Sequence, residues 1–310
     1  MSFSTAKREL RLVPAGVLEV AASLPAVRIH QAVFEATEEQ ALPPLVTTAF
    51  RGALLRSLKD LACVLPSRET CTGCPHTARC AYPPLVEPRD DAAHEVPSPL
   101  VLRPSASTGS ARAGRLTRGQ PLAVQVAFVG DAGHEHVSLV RAALAGVARR
   151  GLGHKPRPRA RRPGLELVSF SPAAPSVPAA GPTWNLHFDT PCRLTVAGRP
   201  ASAPTAKILW DAVVRRVRLL SGLYGGGAPA LPIEPPWTLD QVDVRTVAIG
   251  RFSERQKRRM TWEGFVGRAR LRARGDVELA DRLLGFVEQV QLGKGTQFGF
   301  GVVRRTGAES

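Results

Sequence analysis

Two stretches of this chain carry residue types and spacings that could do chemistry. The first, Leu292 to Val303, reads Leu-Gly-Lys-Gly-Thr-Gln-Phe-Gly-Phe-Gly-Val-Val. Glycine leaves the backbone without a Cβ, so another backbone can approach closely, and exposed amide N–H groups beside a lysine suit an anion such as a phosphate chain. Gly293, Lys294, Gly295, Gly299 and Gly301 are therefore candidate phosphate contacts. The plainer reading of the same glycines is a hairpin that closes a sheet. The second stretch holds Cys63, Cys71, Cys74 and Cys80, separated by seven, two and five residues. In a reducing compartment such thiols suit a metal better than a disulfide framework, because a Cys-x-x-Cys step delivers two thiolates from one turn and the outer pair can complete a tetrahedron. A structural zinc is the expected occupant and an iron–sulfur cluster the alternative, with His76 able to replace one thiolate.

The elements that must position these residues are legible from periodicity. Asp276 can cap a helix in which Leu279, Leu283, Val287 and Val290 recur at helical spacing, and this helix runs into the glycines, after which Phe300 to Val303 reads as a strand. Thr47 to Cys63 is expected to be a helix burying Phe50, Leu54, Leu58 and Leu61, with Arg51, Arg56 and Lys59 on its other faces. Strands are expected at Val27–Ala36, Pro97–Arg103 and Pro121–Val129, and a helix at Val137–Arg150 that again meets glycines, Gly151 and Gly153. A basic run follows, with Lys155, Arg157, Arg159, Arg161 and Arg162 free of any carboxylate and stiffened by prolines, which favours phosphate contacts. Residues 171–183, almost all Pro, Ala, Ser and Gly, read as a linker. Beyond it come a strand at Trp184–Phe188, a helix at Thr205–Leu220, and strands at Val242–Ile249 and Phe265–Arg272 flanking an arginine-rich segment that contains Trp262.

Three of these segments together resemble the CRISPR-associated endoribonucleases that cut precursor CRISPR RNA, members of the repeat-associated mysterious protein (RAMP) superfamily. They are the C-terminal glycine-rich loop, Arg255-Gln256-Lys257-Arg258-Arg259 followed by Gly264-Phe265-Val266-Gly267, and Phe188-Asp189-Thr190-Pro191-Cys192-Arg193-Leu194. The resemblance implies an α+β fold of two tandem ferredoxin-like (RRM-like βαββαβ) domains. The first would span residues 1–170 with a cysteine-rich insertion at 63–96, and the second residues 184–310. It also implies cleavage within CRISPR repeats without a catalytic cofactor, by attack of a 2′-hydroxyl on the adjacent phosphate to leave a 2′,3′-cyclic phosphate, with the product RNA retained. A basic hairpin carrying Arg255, Lys257, Arg258 and Arg259 would grip the repeat, and Arg51, Arg56 and Lys59 would lie near the RNA cleft. The usual base in the family is a histidine on the first helix, and that helix here has none. His30, on the first strand, and His154, among the arginines, are the candidate catalytic residues. The missing histidine supports a second reading, a catalytically inactive RNA-binding subunit that works with other subunits of a CRISPR effector complex.

Composition bounds the partner. With 310 residues the chain is long enough for two domains, and 42 Lys and Arg against 26 Asp and Glu give a formal charge of +16 and a pI near 10.9. Such a balance favours a polyanion, nucleic acid first. No run is long enough to span a bilayer, and Pro14 and Glu19 interrupt the N-terminal apolar stretch, so no secretory signal or membrane partner is expected and the location read is cytoplasmic.

Overall fold

The computed structural model describes residues 16–43, 45–90, 92, 94, 96–104, 114–152, 164–173, 181–253 and 258–307. In chain order these form α1 (Val17–Ser23), β1 (Val27–Ala36), β2 (Gln40–Ala41), α2 (Val46–Ala62), α3 (Tyr82–Val86), β3 (Leu100–Pro104), β4 (Arg115–Leu116), β5 (Pro121–Val129), α4 (Gly130–His134), α5 (Val137–Arg150) and β6 (Leu165–Pro172). They continue as β7 (Thr183–Cys192), β8 (Thr195–Val196), β9 (Arg199–Pro200), α6 (Ala206–Tyr224), β10 (Trp237–Ser253), β11 (Arg258–Ala273), α7 (Val277–Val290) and β12 (Val303–Gly307). Among the described residues no helix is long and apolar enough to cross a membrane.

Two four-stranded antiparallel sheets organise the chain, in the orders β3-β5-β1-β6 and β10-β11-β7-β12. In each, the first strand of the unit lies centrally between the third and the fourth, with a helix after the first and third strands. This is the βαββαβ ferredoxin-like pattern, present twice. The first sheet continues to Pro172, two residues into the expected linker.

The helices are held by their apolar stripes. In α2, Phe50, Leu54 and Leu58 are fully buried against the first sheet and α5. Leu61, expected on the same stripe, lies in the last turn of α2 and is 50% exposed. Asp276 caps α7 as its sequence suggests, its Oδ1 accepting the Leu279 N–H at 2.9 Å.

The second domain covers the back of the first. In β5, Leu122, Val124, Val126 and Phe128 face the helices, yet Ala123, Ala127 and Val129 are buried too, because α7 packs against their side of the strand. Polar bonds cross the same boundary: Arg103 Nη1 donates to the Glu288 carbonyl at 2.7 Å, and Gln291 Nε2 to the Leu102 carbonyl at 2.6 Å. The cluster beneath the second sheet takes in Val101, Ala127 and Val129 of the first domain, beside a separate cluster under α2 and α5, so the two walls of the cleft are tied together.

Candidate functional site

The glycine-rich loop is seated by the segment that ends β7. Asp189 N–H donates to Val302 O (3.0 Å), Thr190 Oγ1 accepts from Val302 N–H (2.9 Å), Pro191 O accepts from Gly301 N–H (3.0 Å) and Arg193 O accepts from Lys294 N–H (3.0 Å). Asp189 also takes two bonds from Arg304 at 3.1 and 3.3 Å. The Phe-Asp-Thr-Pro-Cys-Arg-Leu stretch is thus a cradle in which backbone and side chains alternate as anchors. Cys192 is wholly buried beneath it, and burial pushes its thiol pKa up.

Within the loop, the flanks opened by glycine are filled by this chain itself. A Cβ on Gly301, at φ +71°, would stand 1.8 Å from Leu292 O, and one on Gly299, at φ +85°, would stand 2.1 Å from Thr47 Oγ1. Gly293 and Gly295 are crowded in the same way by Arg193 O and the Trp262 ring. The sequence reading of these four glycines as open approach points for a ligand backbone is corrected on that basis: they let the loop lie on α2, β7 and β11. Residues 296–298 form a single 3₁₀ turn, and Phe298 O accepts from Thr47 Oγ1 at 3.0 Å and Thr48 Oγ1 at 3.4 Å, at the start of α2.

A chain of stacked groups runs out from this junction. The Arg51 guanidinium sits 4.8 Å from the Phe298 ring centroid and donates to Gln297 Oε1 at 3.1 Å. Phe298 meets Trp262 edge to face at 5.0 Å, and the Arg193 guanidinium lies over Trp262 at 4.8 Å. Arg193 is fixed further by Nε donating to Glu263 O at 2.9 Å, and among the described residues no hydrogen-bond partner takes its terminal nitrogens. These groups line a cleft of about 1730 Å³ between the domains. Its first-domain wall includes Arg51, Arg56, Lys59 and Tyr82, its second-domain wall Arg193, Arg215 and Trp262, and exposed Lys294 stands in the loop that joins them. Tyr82 is buried enough that its phenol pKa is pushed up to about 12, with Glu87 adding to the effect. The arrangement suits an anionic chain carrying planar groups: guanidinium forks for phosphate and aromatic faces for bases.

The structure brings some sequence-derived candidates together and not others. Lys294 lies in the cleft, as do Arg51, Arg56 and Lys59 of α2. His30 does not line it. Its ring stacks on Phe170 at 5.0 Å and meets Phe128 edge-on at 5.4 Å, its buried Nδ1 has no partner, and burial, with Arg28 beside it, lowers its pKa. Its expected catalytic placement is corrected accordingly: its position on the helix-facing side of β1 makes it part of the packing at the end of the first core. His154, Lys155, Arg157, Arg159, Arg161, Arg162, Arg255 and Lys257 lie outside the described residues, although Gly151 and Leu152, just before His154, line the cleft. Arg258 and Arg259 pair with Ser253 and Phe252 near the end of the β10–β11 hairpin. Cys63, Cys71, Cys74 and Cys80 are free thiols between α2 and α3, outside the cleft lining, and among the described residues no three His, Cys, Asp or Glu side chains already stand as a metal-holding group. Arg193 and Gln297 were not singled out from sequence. The available signal for Arg193 was its place in the Thr-Pro-Cys-Arg segment.

Comparisons with known proteins agree with this architecture. Residues 186–303 match the family of the CRISPR-associated endoribonuclease Cas6, and residues 24–171 match a family described as an N-terminal domain. No curated protein matches the chain. Among solved structures, a Cas6 product complex is similar over 90% of this chain and 100% of its own, with a TM-score of 0.56 and 14% identity. Thermus thermophilus Cas6 follows over 91% of this chain and 98% of its own (TM-score 0.51, 12% identity). A Cas6-related protein from Pyrococcus furiosus is similar over 92% of this chain and 100% of its own (TM-score 0.51, 8% identity). At such identities the likeness to solved structures establishes the fold, and the match to the Cas6 endoribonuclease family covers the part of the chain, residues 186–303, that holds the cradle, the hairpin and the glycine-rich loop.

Proposed function

We propose that this protein binds CRISPR repeat RNA in the interdomain cleft, cuts it once within the repeat and retains the product. The observation that carries the reading is the junction of Phe298 with Thr47 and Thr48, which joins both domains into one basic, aromatic cleft. The product complex of a similar Cas6 supports RNA as the ligand. In the proposed reaction the ribose 2′-oxygen loses its proton and bonds to the adjacent phosphorus, while the bond to the 5′-oxygen breaks and that oxygen takes up a proton. The products are a 2′,3′-cyclic phosphate and a 5′-hydroxyl, with no catalytic metal. Arg51, Lys59, Arg193 and Lys294 line the cleft and are the cations proposed to face the phosphorane oxygens. His154 remains the candidate base.

A second reading, an RNA-binding subunit without nuclease activity, is favoured by one observation: among the described residues no histidine lines the cleft. Incubating the protein with end-labelled repeat RNA in excess EDTA separates the two. A single cut ending in a 2′,3′-cyclic phosphate supports the nuclease; tight binding with no cut supports the silent subunit.

A further inference from the structure

We propose that Cys63, Cys71, Cys74 and Cys80 form a tetrathiolate zinc site that is the core of the segment between α2 and α3 and braces one wall of the cleft. From Pro66 to Cys80 every residue is exposed except Cys71, Cys74 and Cys80, which are half-buried. Apart from Cys71 and Cys80, which lie against the first core, the segment buries nothing apolar, so its shape calls for a staple. All four thiols are free.

The backbone is arranged for the inner pair. Gly73 takes φ +66° with nothing within 4 Å of a built Cβ, so the turn itself, and not crowding, calls for glycine. Cys74 N–H closes on Cys71 O at 3.1 Å, and Thr77 Oγ1 donates to Cys74 O at 2.7 Å. Such a turn sets the thiols of a Cys-x-x-Cys step toward one point. The outer pair is close by: the Cys80 thiol lies 3.5 Å from Ala62 O, one residue before Cys63. The thiols do not yet meet at ligand distance, so binding requires them to swing inward. Zinc is the expected ion because four thiolates from one short loop suit a closed tetrahedral structural site.

The segment is fastened to the cleft. Lys59, a cleft residue, donates to Arg68 O, Glu87 accepts Cys71 N–H at 2.9 Å, and Tyr82 follows Cys80 by two residues.

The test is metal analysis of the full-length purified protein. One zinc per chain is expected, lost in a Cys71→Ser, Cys74→Ser double variant and kept in Cys192→Ala. To guard against misfolding of the variants, cobalt is exchanged into the unsubstituted protein, where visible absorption of tetrahedral cobalt–thiolate is expected. Stoichiometric iron and sulfide would overturn the zinc assignment, and a chain that takes up no metal would overturn the site. Limited proteolysis should cut between Cys63 and Cys80 at least about tenfold faster after metal removal, because the stapled form opens less often. Bracing of the cleft rests on the proposed RNA function, whereas metal content does not. Repeat RNA affinity should fall about tenfold on metal removal, a coupling of about 1.4 kcal/mol; unchanged affinity with one zinc bound would refute the bracing alone.

Discussion

Thr47 donates its hydroxyl to the carbonyl of Phe298 across 3.0 Å, and the two residues lie 251 positions apart. Gly299 makes this contact possible, since a Cβ there would come within 2.1 Å of Thr47 Oγ1. Gly299→Ala should lift the loop from α2 and weaken repeat RNA binding by about tenfold or more, given about 1–2 kcal/mol for the left-handed backbone plus the clash. Filter binding checks the affinity and circular dichroism the retained fold. Wild-type affinity in a folded variant would refute the loop-to-helix junction as the organiser of the cleft.

Arg193 and Trp262 form a stacked pair but should fail differently when removed. Trp262→Ala removes an aromatic face, worth about 1–3 kcal/mol per stacked base, with little change in salt dependence. Arg193→Ala should weaken binding and also lower the slope of log affinity against log salt by about 0.7, the single-strand value for one lost phosphate contact. Titrations at several salt concentrations distinguish the two, and an unchanged slope in Arg193→Ala would remove its assignment to phosphate.

The expected cationic contacts can be tested as a set. Replacing Lys294, Arg157, Arg159, Arg161 and Arg162 by alanine should reduce both affinity and salt slope, the latter by as much as about 0.7 for each contact actually made. If neither changes, these residues do not touch the RNA backbone.

His30 should control stability in acid, not cleavage. Burial lowers its folded pKa below 6.5, so as pH falls through that unfolded value the unfolded chain gains the proton first. Its contribution to stability is therefore intact above pH 6.5 and declines as pH drops toward the folded pKa. His30→Phe, set between Phe128 and Phe170, should reduce the acid sensitivity of thermal unfolding while leaving RNA cleavage at neutral pH within about twofold. A loss of cleavage in a stable His30→Phe protein would restore this residue to the catalytic list.

Arg305 is almost fully buried, with Nε on Glu288 at 3.1 Å and Nη1 on Asp281 O at 2.9 Å, while Asp281 Oδ1 also accepts from Trp184 at 2.9 Å. Glu288→Leu leaves a buried guanidinium short of its carboxylate and should cost about 3–5 kcal/mol in urea unfolding. A shift below about 1 kcal/mol would mean that Asp281 alone satisfies it.

Local periodicity was enough for the elements that a single stripe or alternation defines. β1 and β5 fall at Val27–Ala36 and Pro121–Val129, and α7 starts at its Asp276 cap. What local pattern could not show was contact between distant faces. β5 has a mixed second face, which reads as partly solvated until α7 is known to cover it. The glycines looked open to a ligand because the Thr47 hydroxyl and Trp262 ring that fill their flanks come from remote segments. Arg193 was visible only as one residue of a motif, since its value depends on Trp262 and Glu263 holding it in place. His30 drew notice as a histidine near the first helix, but the pleat sets its ring, half-buried, against Phe128 and Phe170.

The order in which the cleft's parts are synthesised has a consequence for the cell. Thr47 and the basic face of α2 leave the ribosome early, whereas Phe298, which must dock on them, is made 251 residues later. The cleft therefore cannot be complete until Phe298 has been made and its carbonyl has met Thr47 and Thr48 at the start of α2.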